Sequence, residues 1–281
     1  MDRPSGESCT ASYVLGHSAE ELQRLSLQAR LLDPITKRLL VAAGVASGMR
    51  VLDVGSGSGD VTFLAAGLVG PAGHVVGVDR ARSAVAQATQ RAKASSIANV
   101  SFVEGDPSEM LFDQLFDAVI GRYVLMYQPD PSATLRSLTN PLKSGGLIAF
   151  HELDWGGVRS SPAAPTYDRC CRWVIEALRC GGADPYMGTN LYSAFVRAAL
   201  PPPVMRLEAP IGGPADPSGS VITLLETIFA ASLVVTLEQF GIAKPSEIDV
   251  GSLPRRLYEE VIKLDSVIVG RSEVGAWSRK P

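Results

Sequence analysis

Val51-Leu-Asp-Val-Gly-Ser-Gly-Ser-Gly-Asp60 is the stretch on which the reading of this chain turns. A short apolar run carrying an acid opens into three alternating glycines. Gly55, Gly57 and Gly59 allow positive φ and let a ligand approach the backbone closely. The turn leads into a helix whose free N–H groups and dipole favour a carboxylate. Two later segments repeat the idea. His74-Val-Val-Gly-Val-Asp79 and Val100-Ser-Phe-Val-Glu-Gly-Asp106 are apolar runs that end in acids. Asp53, Asp79 and Asp106 thus fall at the carboxyl ends of three successive strands, where ligands of open α/β sheets bind.

The order of these acids points to a nucleoside with an amino-acid tail. Asp79 is placed to accept from both ribose hydroxyls and Asp106 from an adenine amino group, while the glycine turn takes the tail. A dinucleotide site is the competing reading of a glycine-rich turn. Its fingerprint asks for Gly-x-Gly-x-x-Gly, yet the sixth position counted from Gly55 is Asp60. An acid there, and another at Asp53, would repel a pyrophosphate and suit a cation. S-adenosylmethionine (SAM), which has no phosphate and carries a sulfonium, is the expected ligand.

Outward from this centre, strand and helix patterns alternate. Strands are predicted at 51–54, 75–79, 100–104, 116–120 and 146–151. Helices are predicted near 60–69, 81–95, 108–114 and 131–142, the last with Asp130 as cap and Pro131 at its first position. Buried strands with short crossovers imply a parallel sheet with helices on both faces. Two helices precede the first strand: one opened by the capping box Ser18-Ala-Glu-Glu21, one capped by Asp33 before Pro34 and closed by Gly44. After Trp155 come a Gly/Ser/Pro-rich loop, helices near 166–180, 190–200, 220–240 and 252–264, a sixth strand near 204–209, and a closing edge strand within 266–278. The expected organisation is an N-terminal helical lid (1–50) and a cofactor domain (51–281) with cap insertions at about 156–200 and 210–264.

Composition narrows the class. The 281 residues are 46% hydrophobic and 20% charged, with net charge −3. That suits a globular protein, and no apolar run is long enough to span a bilayer. The N-terminus lacks the pattern of a secretion signal, so a cytoplasmic location is expected. No basic stripe marks a nucleic-acid surface. Cys9, Cys170, Cys171 and Cys180 form no Cys-x-x-Cys pair and have no histidine at ligand spacing, so no metal site is expected. A monomer or homodimer acting on a small molecule is expected.

These motifs resemble those of the class I SAM-dependent methyltransferases, and within them the bacterial small-molecule type related to the ubiquinone/menaquinone-biosynthesis enzymes. The resemblance rests on Val51–Gly59, Val76–Asp79, Val103–Asp106, Phe116–Tyr127 and Leu142–Phe150, with Tyr13–Ser18 and Val274–Pro281 at the two ends. It implies a Rossmann-like sheet with N-terminal helices and helical cap insertions. It also implies that Gly55 and Gly57 flank the methionine part of SAM, that Asp79 binds ribose and Asp106 adenine, and that Gly121 and Arg122 line the methionine side. Arg80 and Gly105, beside the second and third acids, join this set. Arg24 and Gln28 on the first helix are expected to clamp the SAM carboxylate; a surface pair with Glu20 or Glu21 is the plain alternative for Arg24. Pro107 is a departure, because it offers no N–H where relatives turn an amide toward adenine. Either Ser108 substitutes or that contact is lost.

Methyl transfer from a sulfonium is an in-line displacement that depends on alignment, helped by a base when the nucleophile carries a proton. His151-Glu-Leu-Asp-Trp155 is the best cluster for this work. His151 is a candidate base or a hydrogen-bonded strand-end histidine. Glu152 is a candidate for binding a substrate N–H, and Trp155 for stacking on an aromatic ring. Tyr13 and His17 form a second candidate group on a mobile lid. Tyr127 is a candidate substrate contact, and Tyr123 reads as packing. Apolar cap segments favour an aromatic natural-product acceptor, with indole C-methylation as the specific guess. O- or N-methylation, or a cyclisation without net methyl loss on the same fold, are the alternatives.

Overall fold

The computed structural model describes residues 32–213 and 233–281. Tyr13, His17, Arg24, Gln28, Cys9, the capping box at Ser18–Glu21 and most of the helix expected near 220–240 lie outside the described residues.

The fold grows from β1 (Arg50–Val54), whose alternation sends Val51 to one face and Leu52 and Val54 to the other. A helix over 32–43, α1, precedes it. Then follow α2 (Asp60–Val69), β2 (His74–Asp79), α3 (Arg82–Ala94), β3 (Val100–Glu104), β4 (Phe116–Arg122), α4 (Pro131–Ser137) and β5 (Leu142–Asp154). Five parallel strands lie in the spatial order β3-β2-β1-β4-β5. The order reverses between β1 and β4, which places the glycine turn and the ends of β1, β2 and β4 at the switch point.

The second half adds β6 (Arg159–Ser161), α5 (Pro165–Cys180), α6 (Met187–Arg197), β7 (Val204–Glu208), β8 (Ile211–Gly212), α7 (Val234–Gln239), α8 (Pro245–Ile248), α9 (Leu253–Leu264), β9 (Val267–Val269) and β10 (Ser272–Arg279). β10 runs antiparallel between β5 and β7, completing a seven-stranded sheet. β6, β9 and β8 form a small separate sheet.

Two apolar layers sandwich the main sheet. Leu39 and Leu40 of α1 and Val61, Ala65 and Val69 of α2 cover Val51, Val75, Ile120, Ala149 and Trp277. On the opposite face, Leu135, Tyr167, Val174, Leu191 and Phe195 cover Leu52, Val119, Ile148, Phe150 and Val274. Gly275 is what lets α1 lie so close: a Cβ there would meet Leu39 Cδ1 at 1.7 Å. Asp130 caps α4 as expected, accepting from the N–H groups of Ser132 and Ala133 with Pro131 in the first turn, a cap worth about 1 kcal/mol.

Several expectations are corrected. No helix forms at 108–114, where turns follow Asp106. The chain is already helical at Leu32, so Asp33 lies within α1 and does not cap it; its carboxylate is turned instead to Arg122. The stretch expected to close as an edge strand divides into β9 and β10, and β10 is buried inside the sheet while β7 forms the edge.

Candidate active site

Gly55, Gly57 and Gly59 all take positive φ, at 64°, 52° and 94°. At Gly55 a Cβ would come within 2.8 Å of Val124 Cγ2, so that position has no room for a side chain. Asp79, at the end of β2, holds the turn from the strand next to β1. Its Oδ2 accepts from the Gly57 N–H at 2.8 Å, and its Oδ1 from the Ala81 N–H at 2.8 Å. Asp53 is buried beneath the turn and accepts from Thr62 Oγ1 at 2.6 Å. Burial pushes its carboxyl up to about 7, against the pull of the Thr62 hydrogen bond.

Asp106 accepts from the N–H and hydroxyl of Ser108 at 2.9 and 2.6 Å, and from the Arg80 guanidinium. Burial works to raise its carboxyl, but these donors prevail and hold it below its ordinary value. The Ser108 amide, the candidate substitute after Pro107, is engaged with Asp106 in this structure.

These groups rim a cavity of about 480 Å³, within the usual size for a small-ligand site. Gly55, Gly57, Asp79, Arg80, Gly105, Asp106 and Arg122 line one part of it. Tyr123, Tyr127, Leu153, Trp155, Val174, Leu178 and Leu233 line another. Asp53 lies just behind the wall. Both aromatic residues named as substrate contacts, Trp155 and Tyr127, are thus on the wall.

His151 and Glu152 are not, and the expectation that they meet substrate is corrected. His151 is 1% exposed and points beneath α1. Its Nδ1 stands 3.0 Å from Thr36 Oγ1 and its Nε2 3.1 Å from Glu273 Oε2. Glu152 is fully buried on the opposite face of β5. It accepts from the N–H groups of Val124, Leu125 and Met126 at 2.9, 2.8 and 3.4 Å, fixing the chain after β4. Burial pushes its carboxyl up to about 8 despite those three donors. Among the described residues the cavity wall carries no histidine and no glutamate.

Sequence reasoning missed a charged cluster at the wall, in which Arg271 and Tyr123 line the cavity and Glu273 lies behind them. Arg271 Nε donates to Glu273 Oε1 at 2.8 Å, Arg271 Nη2 to the Tyr123 hydroxyl at 3.0 Å, and that hydroxyl in turn to Glu273 Oε2. Burial would raise Glu273, but the Arg271 charge and the bonds from His151 and Tyr123 hold it at about 2. Burial pushes the Tyr123 phenol well above its ordinary range. Arg122 reaches back to α1, donating to Asp33 Oδ1 at 3.0 Å and to Thr36 Oγ1 at 3.1 Å. No local signal marks the pair: Arg271 precedes β10, and β10 is buried on both faces, so alternation does not tell an inward side from an outward one.

A seven-stranded sheet with one inserted antiparallel strand, carrying an acid-rimmed glycine turn at its switch point, is a Rossmann-like fold of the class I methyltransferase kind. Residues 46–173 match the family described as a methyltransferase domain. The chain is similar to demethylmenaquinone methyltransferase from Staphylococcus aureus, 33% identical over 132 residues, which cover 47% of this chain and 52% of that protein. The chain thus spans about half the length of the curated relatives it matches. Among solved structures it is similar to a geranyl diphosphate C-methyltransferase from Streptomyces coelicolor (16% identity, 98% of this chain and 88% of that one, TM-score 0.54). It is also similar to the cyclase SpnF (21% identity, 89% and 81% covered, TM-score 0.51). At these identities the structural likeness is one of fold.

Proposed function

We propose that the protein transfers a methyl group from SAM to a small, apolar, aromatic acceptor. The observation that carries this reading is one cavity that joins the glycine turn and its acids to a wall of Leu153, Trp155, Val174 and Leu178. The residues present fit SAM. The turn has no room for a side chain at Gly55, the rim is acidic, and Ser56 turns a buried hydroxyl without a partner toward the same region.

When bound, SAM supplies a methyl group made electrophilic by the sulfonium. The chain's own residues do the rest. Asp79 holds the turn and offers its carboxylate to the ribose. Arg80 and Gly105 flank Asp106 at the adenine end, and Arg122 stands on the methionine side with Arg24 and Gln28 proposed to join it. The apolar wall excludes water and aligns the acceptor, which is where most of the rate enhancement of an in-line transfer arises. His151 and Glu152 act as positioning groups. Tyr13 and His17, on the segment preceding α1, are the proposed partners for an acceptor proton, and residues 1–50 with the insertions near 156–200 and 210–264 are the proposed cover. Indole carbon methylation is the specific acceptor proposed, with O- or N-methylation as the alternative. The fold-level likeness to SpnF favours, as a second reading, a cyclisation without net methyl loss. The protein is proposed to work in the cytoplasm as a monomer or homodimer, without nucleic acid. Among the described residues no helix is long and apolar enough to cross a membrane.

Incubation with methyl-labelled SAM and an extract of aromatic metabolites tests the proposal. Label is expected in a small-molecule product, and calorimetry is expected to show uptake of S-adenosylhomocysteine (SAH). Uptake with no labelled product from any extract would favour the second reading, and no uptake would overturn both.

A further inference from the structure

Among the described residues, Arg271 is the only charged one that is both buried, at 5% exposure, and on the cavity wall. A guanidinium carries five N–H donors in a fixed planar fork. Nε donates to Glu273 Oε1 at 2.8 Å and Nη2 to the Tyr123 hydroxyl at 3.0 Å. These two bonds use one edge of the plane. Nη1 makes no hydrogen bond. Nor is it one of the enclosed atoms without a partner, which among the described residues are Arg50 Nε, Ser56 Oγ, Trp155 Nε1 and Ser278 Oγ. The end of the fork formed by Nη1 and the second Nη2 hydrogen is therefore reachable from solvent, and the space that Arg271 lines is the cavity.

The group is aimed in advance. Glu273 holds it from behind as a carboxylate, and the guanidinium lies over the Tyr123 ring with Cζ 5.4 Å from the ring centre. Tyr123, Leu153 and Trp155 belong to the same part of the wall. A prepositioned donor loses little freedom on binding, and the open end of a guanidinium matches a carboxylate through two parallel charged hydrogen bonds. The other cations of the wall are committed: Arg80 pairs with Asp106 and Arg122 with Asp33. Asp60, Asp79 and Asp106 stand at the glycine-turn end, where they repel a second anion.

We propose that Arg271 receives a carboxylate carried by the methyl acceptor, so that the cavity selects an aromatic acid. The apolar ring, an indole included, lies against Leu153, Trp155 and Val174, and its acidic side chain reaches the residue just before β10. This rests on the methyltransferase reading, keeps its aromatic ring as the methylated part, and adds the substituent that orients that ring and the residue that recognises it.

Indole-3-propionate and indole-3-propionamide, probes of nearly equal shape that differ in charge, test the inference by calorimetry on SAH-loaded protein. The acid is expected to bind wild type about tenfold more tightly than the amide. Arg271→Lys keeps a charge opposite Glu273 without the fork, so the preference should fall to about twofold while amide affinity stays the same. A crystal structure of wild type with SAH and the acid should place the carboxylate about 3 Å from Nη1 and Nη2, and it decides the matter even if the variant folds poorly. Equal binding of the two probes, binding of neither, a preference that survives in Arg271→Lys, or a carboxylate seated elsewhere would overturn the inference. So would a drop, in Arg271→Lys, of the preference for SAH over 5′-methylthioadenosine, which lacks the amino-acid tail, because Arg271 would then serve the donor's carboxylate. Failure of the broader reading shows separately, as absence of SAH uptake by wild type.

Discussion

Glu273 Oε2 lies 3.1 Å from His151 Nε2, with both side chains 1% exposed, and this contact ties the inserted strand β10 to the end of β5. Because the Glu273 carboxylate only accepts, the imidazole hydrogen in this contact sits on Nε2, and Nδ1 is left to Thr36 of α1. His151→Ala removes both contacts and leaves a void under α1. A loss of about 3 kcal/mol in unfolding free energy is expected, read by urea denaturation, with SAH affinity within about twofold of wild type. A variant as stable as wild type would contradict the positioning role.

Glu152→Ala should strand the amides of Val124, Leu125 and Met126 inside the protein. Leaving such groups unsatisfied costs about 1–3 kcal/mol each in the worst case, so destabilisation of at least about 2 kcal/mol is expected. Faster hydrogen exchange at Leu125 would localise the damage; unchanged protection there would show that the carboxylate does not hold this turn.

Asp79→Ala should weaken SAH binding by tenfold or more, about 1.4 kcal/mol. The loss has two sources, the proposed ribose contact and the Gly57 amide that Asp79 Oδ2 now fixes. Titration calorimetry measures it. Undiminished affinity in folded Asp79→Ala would remove the acid from the donor site.

Asp53 gives the pH prediction. Its folded-state pKa of about 7 lies above the ~3.9 of an unfolded aspartate. The folded state therefore holds the proton more tightly. The resulting stabilisation is complete below about pH 4 and drains away as pH rises toward 7. Asp53→Asn cannot ionise, so its stability relative to wild type should improve by about 2 kcal/mol between about pH 5 and pH 8. Denaturant midpoints across that range test this, and a constant difference would show that the buried carboxyl does not titrate there.

Gly55→Ala should be poorly tolerated. The positive φ and the Val124 methyl 2.8 Å from the added Cβ act together, and a loss of about 1–3 kcal/mol is expected, accompanied by weaker SAH binding. Differential scanning calorimetry with and without SAH separates the two effects; wild-type values for both would argue against a closely packed turn.

Much of the frame was legible because it is written locally. Apolar runs ending in Asp53, Asp79 and Asp106, glycines needing positive φ, and the Asp130-Pro131 helix start all declare themselves within a few residues. What was illegible depended on distant partners. Nothing near Arg271 and Glu273 says that this pair goes inward, because its neutralisation comes from Tyr123 and His151, far away in sequence. At 108–114 a cap forms as it does at Asp130, with Asp106 accepting from the Ser108 N–H, but the backbone turn reaches only Met110 and no helix follows. His151 and Glu152 were rightly singled out as unusual, but an alternating strand shows only that they face opposite ways. That one lies beneath α1 and the other gathers three amides is decided by packing.

The place of β10 between β5 and β7 has a kinetic consequence. Its partners on β5 precede it by more than a hundred residues, and such distant pairing must meet its chain-closure entropy before any contact rewards it. The parallel strands β1 to β5 can assemble first from neighbouring segments. The wall that holds Arg271 and Tyr123 in register is then among the last parts of the molecule to become native, and refolding monitored at Trp277 on β10 should lag behind formation of the glycine turn.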